Sequence, residues 1–519
     1  MYSVLIKNVN VIDGTGKPGQ VFDVAIEGDK IVNIDKTIPS KALNIIDGTG
    51  LVLAPGFIDL QNHSDSYWQI FDNPNFDSLI SQGFTSILVG NCGASLAPLL
   101  SPSSLLAMQK WHNLEGVNIN WQHFSEFTEH LSKTGFGCNI GSLVGYGTIR
   151  RGVVEDQVRS LDKPELKAII KILEQSLEAG AFGLSSGLSY SHEIIVSELE
   201  LFELAKVIKK HDGLLAMHLR SESADILESL EEAIDIARNT EVNLKISHLK
   251  LSGPNNWHKF SQLVSDLEIA YHQGTNLAFD IYPYDTIWQP LFAYLPKWAI
   301  EGGRKTLLHN LSNPMQLKKI LLSLNSLDVK FPELIISSTA NKLSAVGKKL
   351  GLIAKNLECS SEQAVIHLIE RGGSEVLVFE KSLNEEQVRE LLFHPLAVVS
   401  TDGAGFDLNH KDKLVHPRCF GTAPRFIKLA KGLKLPLENA IKKLTSLPAK
   451  LAGIKKRGEI KIDNFADLVL FDPEKISDKA TYENPYQLAS GIEYVFVNGK
   501  PVLENGQING KLPGRVLRK

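Results

Sequence analysis

Two kinds of pattern alternate along this chain. At both ends, short runs alternate between apolar and polar residues and are broken by Gly, Asp and Asn. Examples are SVLIKNVNVID, VFDVAIEGDKIVNID and, near the C-terminus, ADLVLFDP and GIEYVFVNGKPVLENGQ. A period of two with such punctuation predicts strands and tight turns, and Asn-Gly is a strong hairpin signal. Residues 1–54 and 459–519 are therefore expected to pair into one small β-sandwich domain. Between them the pattern changes to compact apolar runs separated by helical periodicity. In DKPELKAIIKILEQSLEAG, Asp162 can cap a helix whose apolar positions recur at helical spacing. Eight apolar runs follow one another: FIDLQNH, FTSILVGNC, CNIGSLVGY, AFGLSS, LLAMHL, LKISHLK, LAFDIYP and AVVSTDG. Eight strands alternating with helices predict an α/β fold, a (β/α)8 TIM-like barrel over 55–458. The connection from Pro283 to about Leu396 is too long for one helix, so a lid is expected as an insertion within 285–395.

Composition narrows the class. A hydrophobic content of 43%, a charged content of 22% and a net charge of −4 offer no basic surface for nucleic acid and no span for a membrane. The four cysteines, Cys92, Cys138, Cys359 and Cys419, are far apart and form no C-x-x-C pair. That argues against a disulfide framework, and a cytoplasmic, reducing location is expected.

Chemistry enters at the C-terminal ends of the predicted strands, where barrel enzymes build their sites. His63, Cys92, His218, His248 and Asp402 fall there. Taken singly, each residue is more readily a core or turn residue. Together they bring thiol, imidazole and carboxylate to one rim. Thiolate and imidazole suit zinc, and three protein ligands leave a position for water, whose pKa zinc lowers from about 16 to about 7. Asp402 could take the water's proton and pass it to a leaving nitrogen. The reaction class implied is hydrolysis of an amide or related carbonyl bond.

The segments APGFIDLQNHSD, GNCGASLAPL, LVGYGTIRRG, GLSSGLSY, MHLRSES, ISHLKLSGPNNW, YPYDT, WAIEGGR, STDGAGF, HPRCFGTAPR and LPGR run in order to the C-terminus. With them the chain resembles the amidohydrolase superfamily and, within it, the N-acyl-D-amino-acid deacylase (D-aminoacylase) family. The resemblance implies a small-molecule substrate bearing a free carboxylate, one tight zinc on Cys92, His218 and His248, and proton transfer by Asp402. It implies carboxylate binding by Lys250, Tyr282 and Arg418, with a hydrogen bond from Tyr190. It also implies a weaker second metal on a His-x-His pair at the end of the first strand. Here that pair reads Gln61-Asn62-His63. Residues 61 and 63 share a face of a strand, and a neutral amide oxygen is a poor zinc ligand. The second site is therefore expected to be weak or absent, and Gln61→His to restore it. The alternatives left open are a D-dipeptidase, a cyclic-amide hydrolase of the dihydroorotase or hydantoinase kind, and a barrel that has lost activity. The absence of Lys from AFGLSS speaks against the cyclic-amide reading.

Overall fold

The computed structural model describes residues 1–519 apart from 40, 108–118, 156, 191, 301–302, 340–343 and 410–412. Positions 301–302 of WAIEGGR and 410–412 of the loop before Arg418 thus lie outside the described residues.

The eight apolar runs become the eight strands of a (β/α)8 barrel: β1 (Phe57–Asp59), β2 (Phe84–Val89), β3 (Asn139–Ser142, resumed at Val144–Gly145), β4 (Gly183–Gly187), β5 (Leu214–His218), β6 (Asn243–Ile246), β7 (Leu277–Ile281) and β8 (Ala397–Val399). All neighbours pair in parallel, β1–β2–β3 in one ladder and β3 through β8 in another. Burial on both faces explains the continuous apolar runs. The ladder breaks at Leu143, where the bonds Leu143 N–H to Val89 O at 2.9 Å and Phe182 N–H to Ser142 O at 3.0 Å carry the connection. The ring meets between β1 and β8 through one isolated bridge, Asn62 to Gly403, and the 2.7 Å bond from His63 N–H to Gly403 O. Ile58, Leu88, Leu143, Phe182, Leu214 and Val398 form one buried apolar cluster, so strands from both ladders meet across the interior.

Between the strands lie helices with local signals of the expected kind. In Lys163–Glu178 the Asp162 carboxylate accepts from Glu165 N–H at 2.8 Å while Glu165 accepts from Asp162 N–H at 2.9 Å, a reciprocal cap. The connection between β7 and β8 holds a three-stranded antiparallel sheet, Ile287–Pro290, Ile335–Ser338 and Leu377–Glu380, with helices and an apolar core of its own.

The chain termini share a nine-stranded sheet. Val52–Pro55 pairs with Tyr2–Val11 on one side and with Leu468–Phe471 on the other. The sheet curls until Lys30 bridges Phe465, closing over Val24, Ile26, Leu53, Leu468 and Phe496. The hairpin after Ile492–Val497 turns at Asn498-Gly499, both at positive φ (49° and 74°), as a two-residue turn of this hand requires. The final residues leave this sheet: Gly514 N–H bonds Phe136 O at 2.7 Å and Val516 bridges Ile140 beside β3. Among the described residues no helix is long and apolar enough to cross a membrane.

Candidate metal centre and carboxylate pocket

Every candidate residue on a strand lies at, or within four residues beyond, the C-terminal end of its strand: Gln61 and His63 after β1, Cys92 after β2, Tyr190 after β4, His218 ending β5, His248 and Lys250 after β6, Tyr282 after β7 and Asp402 after β8. Arg418 opens the helix Arg418–Gly432 that follows β8. Three of them, Cys92, His248 and Asp402, have positive φ (53°, 37° and 48°). Such conformations cost about 1–3 kcal/mol each for non-glycine residues and concentrate where function demands a particular side-chain direction. The GNCG stretch shows how one is imposed. Gly90 has φ of 78°, and a Cβ there would stand 2.2 Å from Leu143 O; Gly93 has φ of 75°, and a Cβ there would stand 1.9 Å from a Glu193 carboxylate oxygen. Glycines on both sides let the chain fold tightly enough to aim Cys92 inward.

The ligand atoms of Cys92, His218 and His248 all lie within 4.8 Å of one another, and all three residues are buried. Cys92 Sγ is 3.3 Å from His248 Nε2, near the roughly 3.5 Å that separates sulfur and nitrogen on one tetrahedral zinc. His218 Nε2 meets Ser189 Oγ at 2.9 Å, while its Nδ1 is buried without a hydrogen-bond partner. Burial pushes the Cys92 thiol up, but the charge of His248 and hydrogen bonds from His218, His248 and His63 outweigh it and hold it well below its ordinary value. The thiolate, the ligand form, is the result. The donor set fits a zinc ion: a soft anion and two imidazoles around a shared point.

Gln61 and His63 both reach this centre. Gln61 Nε2 donates to Cys92 Sγ at 3.1 Å, and His63 Nε2 lies 3.9 Å from the same sulfur and 3.2 Å from Asp402 Oδ1. Asp402 Oδ2 pairs with Arg418 Nη2 at 2.8 Å. Burial pushes the Asp402 carboxyl up, and Arg418, His248 and His63 overcome this to keep it well below the usual range. Its side chain is therefore a carboxylate held between His63 and Arg418.

The residues for which the resemblance implies carboxylate binding lie beside these groups. The Arg418 guanidinium lies 4.5 Å over the Tyr282 ring and keeps a buried Nε without a partner. His416 places it: His416 Nε2 meets Thr286 O at 3.0 Å and its Nδ1 accepts Arg418 N–H at 3.0 Å. Arg418 thus lies beside both Asp402 and Tyr282. Lys250 Nζ sits 2.5 Å from Glu222 and 2.8 Å from His248 Nδ1, and the Tyr190 ring packs 5.2 Å from His218. The first strand of the insertion reaches the rim, where Trp288 stacks on Tyr67 at 5.1 Å. Tyr146 turns away from these groups, and its buried hydroxyl bonds Glu200.

Four supporting residues are not among the candidates read from the sequence. Glu222 lies 2.8 Å from His248 Nδ1, the arrangement that orients a metal-binding imidazole. Asp59 accepts from Asn62 at 2.8 Å and from the Thr401 hydroxyl at 2.6 Å, tying the Gln61 segment to the Asp402 segment. Lys245 and Asp280 form an ion pair beneath Gln61. HLRSES contains a carboxylate one turn past a candidate ligand and LKISH a charge inside an apolar run; the second was a usable signal.

Comparison with known proteins places this arrangement. No family model matches the chain. A D-aminoacylase from Alcaligenes xylosoxydans xylosoxydans is 30% identical over 525 residues, covering 100% of this chain and 98% of the relative. An N-acyl-D-aspartate deacylase of the same organism is 30% identical over 521 residues, with 99% and 94% covered. Among solved structures, a D-aminoacylase studied for one-metal activation and second-metal attenuation of its binuclear centre superposes with a TM-score of 0.85 at 29% identity over 100% of both chains. An N-acyl-D-glutamate deacylase from Bordetella bronchiseptica, complexed with zinc and a phosphonate mimic of the tetrahedral intermediate, also scores 0.85, at 27% identity over 100% of both chains. An L-hydantoinase from Arthrobacter aurescens shares the fold at 15% identity and a TM-score of 0.59. With full-length identity to D-aminoacylase and the barrel in common, the chain belongs to the D-aminoacylase (N-acyl-D-amino-acid deacylase) family of the amidohydrolase superfamily.

Proposed function

We propose that this chain hydrolyses the amide bond of N-acyl-D-amino acids, using one zinc ion held by Cys92, His218 and His248. The observation that carries the reading is the buried convergence of a thiolate and two imidazoles with Asp402, itself paired at 2.8 Å to Arg418. Bound zinc supplies Lewis-acid polarisation of the carbonyl and acidifies water. The chain's own residues do the rest. Arg418, with Nε unused, and Lys250 and Tyr282 meet the substrate carboxylate, and a planar guanidinium suits it bidentately. Tyr190 adds a hydrogen bond. Asp402 takes the proton of the attacking water at a carboxylate oxygen and returns it to the leaving nitrogen. Burial of the pocket excludes other water, and the insertion between β7 and β8, already touching the rim through Trp288, serves as the lid. The small β domain of 1–54 and 459–519 flanks the barrel domain of 55–458. The cysteines are all free, which supports a reducing, cytoplasmic location.

The test is a panel of N-acetyl amino acids in both enantiomers, with the corresponding amides, assayed by release of free amino acid from zinc-loaded and chelator-treated protein. Zinc-dependent hydrolysis of the D-acids is expected. Equal rates on D and L substrates, or no loss on chelation, would overturn the reading.

A further inference from the structure

Lys245 stands on β6 and is fully buried. Its Nζ faces three oxygens: the Asp280 carboxylate on β7, Gln61 Oε1 at 2.5 Å and the Leu60 carbonyl at 3.4 Å. An ammonium has three donors and no acceptor, so these three oxygens satisfy it. The other Asp280 oxygen accepts the backbone N–H of His248 at 2.8 Å. Gln61 spans the gap to the centre: its oxygen faces the ammonium and its Nε2 donates to Cys92 Sγ at 3.1 Å. Because an ammonium only donates and a thiolate accepts, both ends dictate the same orientation of the amide. An ion pair with its ammonium end toward Gln61 therefore sits one side-chain amide away from the thiolate, on the side where residues 61 and 63 meet it.

We infer that the Lys245–Asp280 pair, acting through Gln61, is a built-in replacement for a second metal ion, which makes this a single-metal centre that resists loading by a second zinc. The inference rests on the proposed zinc site at Cys92, His218 and His248. Residue 61 turns an N–H toward the sulfur instead of a lone pair, and a second dication there would meet the positive end of the Gln61 dipole with an ammonium behind it. Restoring histidine at 61 alone does not change this. An imidazole beside Lys245 that accepts from the ammonium with one nitrogen carries its proton on the nitrogen that faces Cys92, and a second zinc must displace that proton, next to an ammonium, in order to bind. Lys245 and Asp280 are positioning residues in this account; neither need touch substrate.

The experiment counts zinc per chain by elemental analysis after equilibration with excess zinc and removal of free metal, with calorimetric titration alongside. All proteins carry His211→Ala, because Glu174, Glu178 and His211 form a separate cluster able to take a metal. One zinc per chain is expected for the parent and for Gln61→His, and two for Gln61→His with Lys245→Met and Asp280→Asn. The Asn keeps an oxygen for His248 N–H while removing the charge that Lys245→Met would strand. If that combination does not fold, Gln61→His with Lys245→Gln, which keeps a donor for Asp280, is expected to take the second zinc at least about tenfold more tightly than Gln61→His alone. A second zinc in the parent or in Gln61→His alone overturns the inference, as does a folded combination that still holds one. A parent that binds no zinc overturns the zinc reading and this inference with it. Activity in rising zinc gives a further check: flat for the parent, falling for the combination.

Discussion

The two sides of the centre are built from the same kinds of strand end and yet hold different things. On one side, Cys92, His218 and His248 present ligand atoms within 4.8 Å of one another. On the other, Gln61 and His63 approach the same sulfur, but Gln61 is engaged by a buried ammonium and His63 by Asp402. Both sides are equally buried, so accessibility does not distinguish them. The difference lies in where positive charge comes from. A buried thiolate requires a nearby cation, and on the first side a metal can supply it, while the second side offers His63 and the Gln61 N–H, backed by the Lys245–Asp280 ion pair. If the Lys245–Asp280 pair stands in for a second metal as proposed, position 61 belongs to a re-wired site and not to a weakened copy of the first.

The largest effect should come from breaking the first side alone. Cys92→Ala is expected to reduce bound zinc from about one per chain to near zero and to abolish hydrolysis, whereas Gln61→Ala should keep its zinc, because three ligands remain. Elemental analysis of both variants decides, and equal zinc losses would erase the asymmetry. Next is the base that faces both sides. Asp402→Asn should retain zinc and lose about a hundredfold to ten-thousandfold in kcat, read by steady-state kinetics; unchanged turnover would demote Asp402 to a structural role. Arg418→Ala should raise KM for N-acyl acids far more than for the matching amides, by a factor corresponding to about 2–5 kcal/mol. It should also lower kcat, since Asp402 loses its partner at 2.8 Å. A change in KM equal for acids and amides would remove Arg418 from carboxylate binding.

The smallest effect concerns Asp59, which ties the two segments together. Burial pushes its carboxyl up from 3.8 to about 6 against the hydrogen bonds of Asn62 and Thr401. The folded value is above the unfolded one, so its contribution to stability is complete below about 3.8 and is lost as pH rises through about 6. Asp59→Asn, which does not titrate, should flatten this part of the stability profile. Thermal melts from about pH 4 to about pH 7 on both proteins measure it, and parallel profiles would mean that Asp59 does not titrate in that window.

Much of this was legible along the chain. The eight apolar runs correspond one for one to β1–β8, because strands buried on both faces are mainly apolar. Their C-terminal ends carry the ligand-type residues, since parallel strands deliver those ends to one rim. The Asn498-Gly499 turn and the Asp162 cap are short-range and were readable for the same reason. Long-range partners were not. Glu222 looks like one more polar residue in a loop, and Asp59 like a strand-end acid, until folding brings His248 and Thr401 to them.

By itself the sequence determined the barrel, the β module at its ends, the thiol, imidazole and carboxylate at the rim, and the replacement of a histidine by Gln61. The first three follow from local periodicity and residue type, and the last from the resemblance to the D-aminoacylase family. Only the tertiary structure decided what Gln61 does. Residues 61, 245 and 280 are separated by up to 219 positions and meet solely because β1, β6 and β7 converge in one barrel. An ammonium buried there is stable only with its donors bound to oxygens, here from Leu60 and Gln61 after β1 and from Asp280 on β7. That requirement has no trace in any single stretch of the chain.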